Sequence, residues 1–195
     1  MLTKKFPQSE FGNTLKLTAI LEGFHYSSST PFMRSDTVRV YLRTSSAPYN
    51  IVDSSKQILN NVGIGEFFFT NVSQGVNYFL TVKHRNSIET WSANGNWIVF
   101  NSDTTSYNFT TSASKAFGSN IRQINISPLR FAFYGGDTNQ DGTVDASDLS
   151  EIDNDAIYFI TGYVETDLTG DGFVDGSDFA IADNNAAGFV SVARP

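Results

Sequence analysis

The chain has 195 residues and no cysteine, and this absence excludes several kinds of chemistry. The protein can have no disulfide, no thiolate metal site and no cysteine nucleophile. Hard cations that prefer oxygen ligands therefore become the natural metal candidates. With 40% hydrophobic and 14% aromatic residues, the chain can still build one or two globular domains with their own cores.

Histidine and long apolar runs are scarce as well. The two histidines, His25 and His84, lie outside any nucleophile-elbow, zinc-helix or phosphate-loop motif, and His84 is expected to be an edge residue at the end of a strand. No apolar run is long enough to cross a bilayer, and residues 1–10 lack the apolar core of a signal peptide. We therefore predict a non-catalytic protein without catalytic residues, without membrane insertion and without a signal peptide in this chain.

Basic residues are nearly absent from the C-terminal part of the chain. Residues 137–195 contain thirteen acidic residues and one basic residue, Arg194, whereas residues 1–136 contain seven acidic and twelve basic residues. The two parts thus carry formal charges of −12 and +5. The basic residues are scattered among predicted strands rather than clustered, which argues against a nucleic-acid partner. The charge split predicts two domains, residues 1–134 and 135–195.

The N-terminal part is rich in short segments of β-branched and aromatic residues with period-two alternation. Glycine, asparagine, serine and proline separate these segments, as is typical of strands joined by turns. We predict a mainly β fold, in which residues 1–134 form an antiparallel β-sandwich of immunoglobulin-like type and a small α-helical domain follows. The predicted strands are 15–24, 37–43, 65–69, 77–84, 88–93, 96–100, 106–110 and 129–133.

One hairpin of this part resembles a known kind of sandwich. The stretch FFFTNVSQGVNYFLTVKHR, residues 67–85, is similar to prealbumin-like and carboxypeptidase-regulatory-like sandwiches, in which a turn glycine introduces an aromatic-flanked central strand. The resemblance implies a rigid spacer or stalk rather than a catalyst.

The C-terminal part contains a repeated twelve-residue pattern. DTNQDGTVDASD, residues 137–148, and DLTGDGFVDGSD, residues 167–178, agree at positions one, five, six, eight, nine and twelve, at an offset of thirty residues. Oxygen donors at positions one, three, five, seven, nine and twelve, with glycine at six for the sharp turn, are typical of a calcium loop. The candidate ligands are Asp137, Asn139, Asp141, the carbonyl of Thr143, Asp145 and Asp148 in loop one, and Asp167, Thr169, Asp171, the carbonyl of Phe173, Asp175 and Asp178 in loop two.

Calcium is the expected ion, with two ions per chain. Magnesium prefers a small octahedron and keeps several waters, whereas this many protein oxygens suit a larger and more flexible coordination shell. Two alternatives stay open, namely a solvated acidic turn without metal and the loss of one ion from loop two, where Thr169 offers only a hydroxyl. Val144 and Val174, both at position eight, are expected to pair with each other and bring the two loops together.

A helix is predicted after each loop, since Leu149, Ile152, Ala156 and Phe159 follow loop one at helical spacing, and Phe179, Ala182 and Ala186 follow loop two.

Over 136–189 the chain resembles a dockerin domain of the type I pattern. The resemblance implies a non-catalytic module of a secreted protein that binds two calcium ions and docks to a cohesin module. The sequence departs from that pattern at the positions that usually contact cohesin, which hold Ala146-Ser147, Gly176-Ser177, Asp153-Asn154 and Asp183-Asn184.

Three functional hypotheses follow from these observations. The leading one is an extracellular or cell-surface, calcium-stabilised structural or assembly protein whose oppositely charged halves associate head-to-tail into a filament. The same charge split is compatible with an acidic domain folded back on its own sandwich. The alternatives are a dockerin module for a cohesin-like scaffold partner, and a carbohydrate-binding or adhesive module that uses exposed aromatic residues among Tyr78, Trp91 and Trp97.

Overall fold

Strands occupy most of the first two thirds of the chain in a computed structural model that describes residues 13–27, 29–30 and 32–195. Residues 1–10, where the sequence shows no signal-peptide core, lie outside the described residues. The strands are β1 Asn13–Thr18, β2 Asp36–Thr44, β3 Ile51–Leu59, β4 Ile64–Phe69, β5 Tyr78–His84, β6 Ser87–Trp91, β7 Thr104–Asn108, β8 Arg122–Ile126 and β9 Leu129–Ala132.

Seven of these strands form two sheets that enclose a shared core. One sheet has the order β4-β1-β7, the other has the order β3-β2-β5-β6, and β8 and β9 form a separate hairpin. The expectation of a purely antiparallel sandwich is wrong at one pair, because β1 and β7 run parallel, with Thr14 opposite Thr104. β7 follows a long connection from β6 and is not joined to its partner β1 by a hairpin turn. No short turn therefore forces β7 and β1 to run antiparallel.

The sandwich core follows from the period-two alternation in the sequence. Leu15 and Leu17 of β1 are fully buried while Lys16 between them is exposed, and β2 alternates in the same way at Val38, Val40 and Leu42. Successive side chains of a strand point to opposite faces, so each sheet presents one apolar face to the other. Phe67 and Phe69 of β4 belong to the same core.

The strand predictions are confirmed where the alternation is strong and fail where it is weak. The predicted strand 15–24 ends at Thr18, and the predicted strand 96–100 is reduced to a single bridge between Tyr78 and Ile98. Two strands were missed. β3 is an edge strand with mostly polar and half-exposed residues, and β8 belongs to the small hairpin, so neither buries a full apolar face.

Two short helices, α1 Ala146–Ile157 and α2 Gly176–Ala187, follow the two acidic loops and build a second, smaller core. Ile152 and Ala182 are fully buried there, and Ile88 of β6 inserts into the same cluster. The helical prediction is confirmed at both places. The second core therefore contains a sandwich residue, and the C-terminal part lies directly against β6. The other buried members are Val144, Leu168, Val174 and Val190.

Both helices begin and end alike. The side chain at loop position nine, Asp145 or Asp175, caps the helix N-terminus, and the carboxylate at position twelve, Asp148 or Asp178, bonds back to the cap backbone in a capping box. At the other end, Phe159 and Phe189 each adopt a left-handed φ of 53°. The likeness extends beyond the loops, so we call residues 137–162 the first repeat and residues 167–192 the second repeat.

Candidate calcium loops

Loop one is folded around its first and last carboxylates, which are both buried. Oδ1 of Asp137 accepts a hydrogen bond of 3.3 Å from the backbone N–H of Gly142, which has a φ of 95°. Asp148 accepts from the backbone N–H of Thr138 at 2.9 Å through Oδ1 and from that of Asp145 at 3.0 Å through Oδ2. The chain thus turns back at the glycine and brings positions one and twelve to the same buried place.

Loop two repeats this arrangement. Oδ2 of Asp167 accepts from the backbone N–H of Gly172 at 3.1 Å, and Gly172 has a φ of 89°. Asp178 accepts from the backbone N–H groups of Thr169 and Asp175, at 2.9 Å each. The glycine at position six therefore makes the same turn in both loops, as the sequence predicted.

The remaining predicted ligands lie on the rim of each loop. Asp141 and Asp171 at position five each accept from the backbone N–H two residues on, that of Thr143 at 2.9 Å and that of Phe173 at 3.0 Å. At position three, Asn139 accepts from the N–H of Asp141 at 2.9 Å, whereas Thr169 donates its hydroxyl to Asp167 at 3.3 Å. Asp145 and Asp175 at position nine are held by Ser147 and Ser177.

The expected pairing of Val144 with Val174 is wrong. The N–H of Val144 donates to the carbonyl of Val190 at 2.9 Å, and the N–H of Val174 donates to that of Ile160 at 3.1 Å. Each loop thus pairs with the segment that follows the opposite helix. The two valine side chains still share the second core, because this crossed pairing closes α1 and α2 against each other.

The carboxylates of each loop repel one another. Burial raises the pKa of Asp137 to about 6, and repulsion from Asp148 and Asp141 acts in the same direction. Burial likewise raises the pKa of Asp178, and repulsion from Asp167 adds to it. A cation between these groups would reverse this cost, because an opposite charge favours the ionised form of each carboxylate.

The donor set fits calcium in chemistry and in backbone path. Both loops offer carboxylate and backbone carbonyl oxygens, with the amide of Asn139 at position three of loop one and the hydroxyl of Thr169 at position three of loop two, and no softer ligand, the set that a hard cation prefers. Over the described residues, no three carboxylate or imidazole groups are already arranged to hold a metal ion. The carboxylates at position five and position nine accept hydrogen bonds from their own turns. Calcium would have to compete with those bonds for the rim oxygens.

The second repeat is attached to the sandwich by residues that sequence reasoning missed. The side-chain N–H₂ group of Asn86, a buried residue after β5, donates to the carbonyls of Glu165 at 2.9 Å and Asp167 at 2.8 Å. Asn185 of α2 donates to Glu22 at 2.7 Å and to the carbonyl of Gly135 at 2.8 Å. We call the contacts of Glu22, Phe24, Arg85 and Asn86 with the second repeat the joint.

A signal for the joint was present in the differences between the repeats. Thr138, Glu151 and Asp155 of the first repeat correspond to Leu168, Ile181 and Asn185 of the second. Where the first repeat is polar, the second carries two apolar residues and an uncharged amide, which is what a docked surface requires. A Cβ atom on Gly23 would lie 2.1 Å from the carbonyl oxygen of Leu168 and 2.9 Å from Cδ1 of Ile181, so the two surfaces meet closely there.

His84 is not the edge residue that the sequence predicted. It lies on β5, between β2 and β6, and is buried. Its Nε2 contacts Asp36 at 3.1 Å and its Nδ1 contacts the hydroxyl of Ser87 at 3.0 Å. All three side chains are buried, so this serine–histidine–aspartate chain has no access to a substrate and acts as a structural link beside the joint.

The aromatic residues that raised a carbohydrate hypothesis are mostly in the core. Tyr78 and Trp91 are buried, and Trp97 packs edge-on against Phe79 with ring centroids 4.6 Å apart. No two of the three form the exposed, coplanar pair that stacking on a sugar needs. A groove of about 470 Å³ lies next to Trp91, but Arg43 covers the ring at 4.9 Å and Arg194 and Glu89 form an ion pair at its side.

Comparisons with known proteins leave the family open. No protein-family model matches the chain, and no curated protein matches it. Among solved structures, the chain is similar to one chain from the crystal structure of an N-terminal interface mutant of a type II cohesin–X–dockerin complex from Acetivibrio cellulolyticus. The two chains share 17% sequence identity, with a TM-score of 0.49, over 89% of this chain and 95% of that one. A likeness at this level assigns neither a family nor a function.

The described residues include no helix that is both long enough and apolar enough to cross a membrane.

Proposed function

We propose that this protein is a non-catalytic, calcium-binding structural or assembly protein that acts through protein–protein contacts outside the cell or at the cell surface. In this proposal residues 135–195 form a dockerin-like domain with two calcium ions, and residues 1–134 form the sandwich that carries it. The observation that carries the proposal is the duplicated loop. In each copy a glycine N–H returns to the first carboxylate, and the last carboxylate closes a capping box that opens a helix.

The two helices offer a surface for a partner. Each helix exposes one stripe at helical spacing, and the two stripes have matched positions because the repeats are alike. Asp153-Asn154 and Asp183-Asn184 lie in the middle of the stripes and are exposed. We call this surface the paired helix face. It consists of Ala146, Ser147, Ser150, Asp153, Asn154 and Ile157 on α1 with its C-cap Tyr158, and of Gly176, Ser177, Ala180, Asp183, Asn184 and Ala187 on α2 with its C-cap Gly188.

The paired helix face is not symmetric in chemistry. Tyr158 at the end of α1 is 76% exposed, whereas glycine stands at the matching place in α2. Tyrosine is a residue that often dominates binding energy at protein interfaces. The α1 end of the face is therefore the better candidate for the centre of an interface.

A second candidate is self-association into a filament. Apolar side chains are exposed on both parts of the molecule, Ile126 and Leu129 on the β8–β9 hairpin and Phe159 and Phe189 at the helix ends. The charge split supports this candidate less than the sequence indicated. Part of the attraction between the basic and the acidic parts of the molecule acts within one chain, since Arg85 pairs with Asp167.

A binding experiment separates these candidates. The full chain, with about 10 mM calcium or with a chelator, is tested for binding to purified type I and type II cohesin modules and for self-association by sedimentation velocity. We expect calcium-dependent binding that Tyr158→Ala weakens at least about tenfold and that Val76→Ala, an exposed change on the sandwich, leaves intact. A chain that stays monomeric and binds no cohesin in calcium would contradict the interaction proposal, whatever its calcium content.

A further inference from the structure

A basic side chain of the sandwich reaches the first ligand position of loop two. Nη2 of Arg85 lies 3.6 Å from Oδ2 of Asp167. The corresponding carboxylate of loop one, Asp137, forms no ion pair with a basic side chain in the described part of the chain. Lys83 acts on Asp137 at longer range only, since its ammonium group is paired with Glu89 at 3.3 Å. The two loops therefore differ in the charge that faces their first ligand.

The guanidinium of Arg85 is buried and depends on that carboxylate. Its side chain is 9% exposed, its Nε donates to Asp36 at 3.1 Å, and neither of its terminal nitrogens donates a hydrogen bond. The guanidinium lies near the rings of Phe24 and Tyr163, 5.4 Å and 4.4 Å from their centroids. A buried guanidinium needs nearby negative charge, and Asp36 and Asp167 supply it.

Other contacts hold the backbone of loop two without this charge. Nη1 of Arg34 donates to the carbonyl of Thr169 at 3.1 Å, and Asn86 donates to the carbonyl of Asp167 at 2.8 Å. A Cβ atom on Gly170 would lie 2.3 Å from the ring of Phe24, so the loop rests directly on the sandwich there. Removal of the Arg85 charge therefore leaves most of the positioning of the loop in place.

We propose that Arg85 is a built-in competitor for calcium at loop two, so that loop one fills first and filling of loop two releases the Arg85–Asp167 ion pair in the joint. The inference rests on the proposed function, because it presupposes that both loops bind calcium. A cation that shares Asp167 meets the repulsion of a fixed positive charge, and it takes from the buried guanidinium one of its two carboxylate partners. The state of the joint is thereby linked to the calcium concentration.

Calorimetric titration of the full chain with calcium tests this inference. The wild type is expected to bind in two steps, the second at least about tenfold weaker than the first. Asp171→Ala is expected to remove the weak step and Asp141→Ala the tight one, which assigns each step to a loop. Arg85→Met should strengthen the weak step at least about tenfold and leave the tight step unchanged.

The controls separate a local charge effect from other causes. Lys16→Met removes the same charge from an exposed position on β1 and should change neither step. If Arg85→Met does not fold, Arg85→Gln removes the charge, retains a donor for Asp36, and is expected to act in the same direction. A weak step that is unchanged or further weakened in the folded Arg85 variant would overturn the inference while two-ion binding stands. A wild-type chain that binds no calcium would overturn the proposed function itself.

Discussion

The two repeats of the C-terminal part have nearly the same backbone and different neighbours. In both, a glycine N–H bonds to the first carboxylate and a capping box opens the helix. The second repeat presents Ile181, Asn185 and the carbonyl of Leu168 to the sandwich, whereas in the first repeat the exposed Glu151 accepts a hydrogen bond of 2.7 Å from the hydroxyl of the buried Thr138. The loop pattern therefore sets the local fold, and residues outside it decide which copy is docked.

The position-twelve carboxylates test this comparison with the largest expected effect. Asp148→Ala removes a buried acceptor of three backbone N–H groups and Asp178→Ala a buried acceptor of two, and each change should cost about 2–4 kcal/mol of the free energy of unfolding. The calcium-dependent part of the loss should be larger for Asp148→Ala, because loop one is the tighter site in our account. Thermal unfolding at a series of calcium concentrations measures this. Equal calcium dependence in the two variants would mean that the loops are equivalent.

Exchange of one residue between the repeats tests the docked surface. Ile181→Glu gives the second repeat the residue of the first and places a charge against Gly23 of the sandwich and against Gly135. We expect a loss of about 2–3 kcal/mol in denaturant unfolding at saturating calcium. Glu151→Ile is the matched exchange in the other direction and should change stability by no more than about 1 kcal/mol, because Glu151 is exposed. Equal losses would contradict the assignment of the docked copy.

The pH dependence of stability reports on the groups beside the joint. Burial lowers the pKa of His84 below its ordinary 6.5, and the hydrogen bonds of His84 and Tyr163 to Asp36 outweigh burial and lower the pKa of Asp36. Both groups bind fewer protons in the folded than in the unfolded state. Their contribution to the free energy of unfolding is therefore complete above their unfolded pKa values and is lost as the pH is lowered. In saturating calcium, which would hold the loop carboxylates ionised, we expect protonation of His84 to cost about 1–2 kcal/mol of the free energy of unfolding between pH 7 and 5.

His84→Gln should flatten this slope in a denaturant series at several pH values. Burial also lowers the pKa of His25, so a smaller slope is expected to remain in the variant. An unchanged slope would show that His84 does not contribute.

The smallest effect concerns one glycine of α2. Gly176 stands where the first repeat has Ala146, and a Cβ atom there would meet no other atom within 4 Å. Gly176→Ala should stabilise the helix by about 0.5 kcal/mol. Gly172→Ala is the control, because it also meets no atom within 4 Å but has a φ of 89°, and it should destabilise by about 1 kcal/mol. The two variants would be compared by thermal unfolding in calcium.

Sequence patterns predicted what is local and missed what joins distant segments. The loops could be found because oxygen donors and a turn glycine recur at fixed spacing, and the helices because apolar residues follow at helical spacing. The sandwich side of the joint could not, since Arg85 and Asn86 contact residues about eighty positions away and no periodicity marks them. The pairing of Val144 with Val174 was wrong for a related reason, because local spacing does not tell which distant segment a loop pairs with.

The most direct test of the account is a count of the calcium ions that the purified full chain binds, with circular dichroism before and after chelation. We predict two ions per chain at about 10 mM calcium, and after chelation a loss of helical signal while the environment of the sandwich residue Trp97 is retained. A chain that binds no calcium at that concentration, and whose helical signal is the same with and without chelator, would contradict the central claim that the acidic repeats are calcium loops.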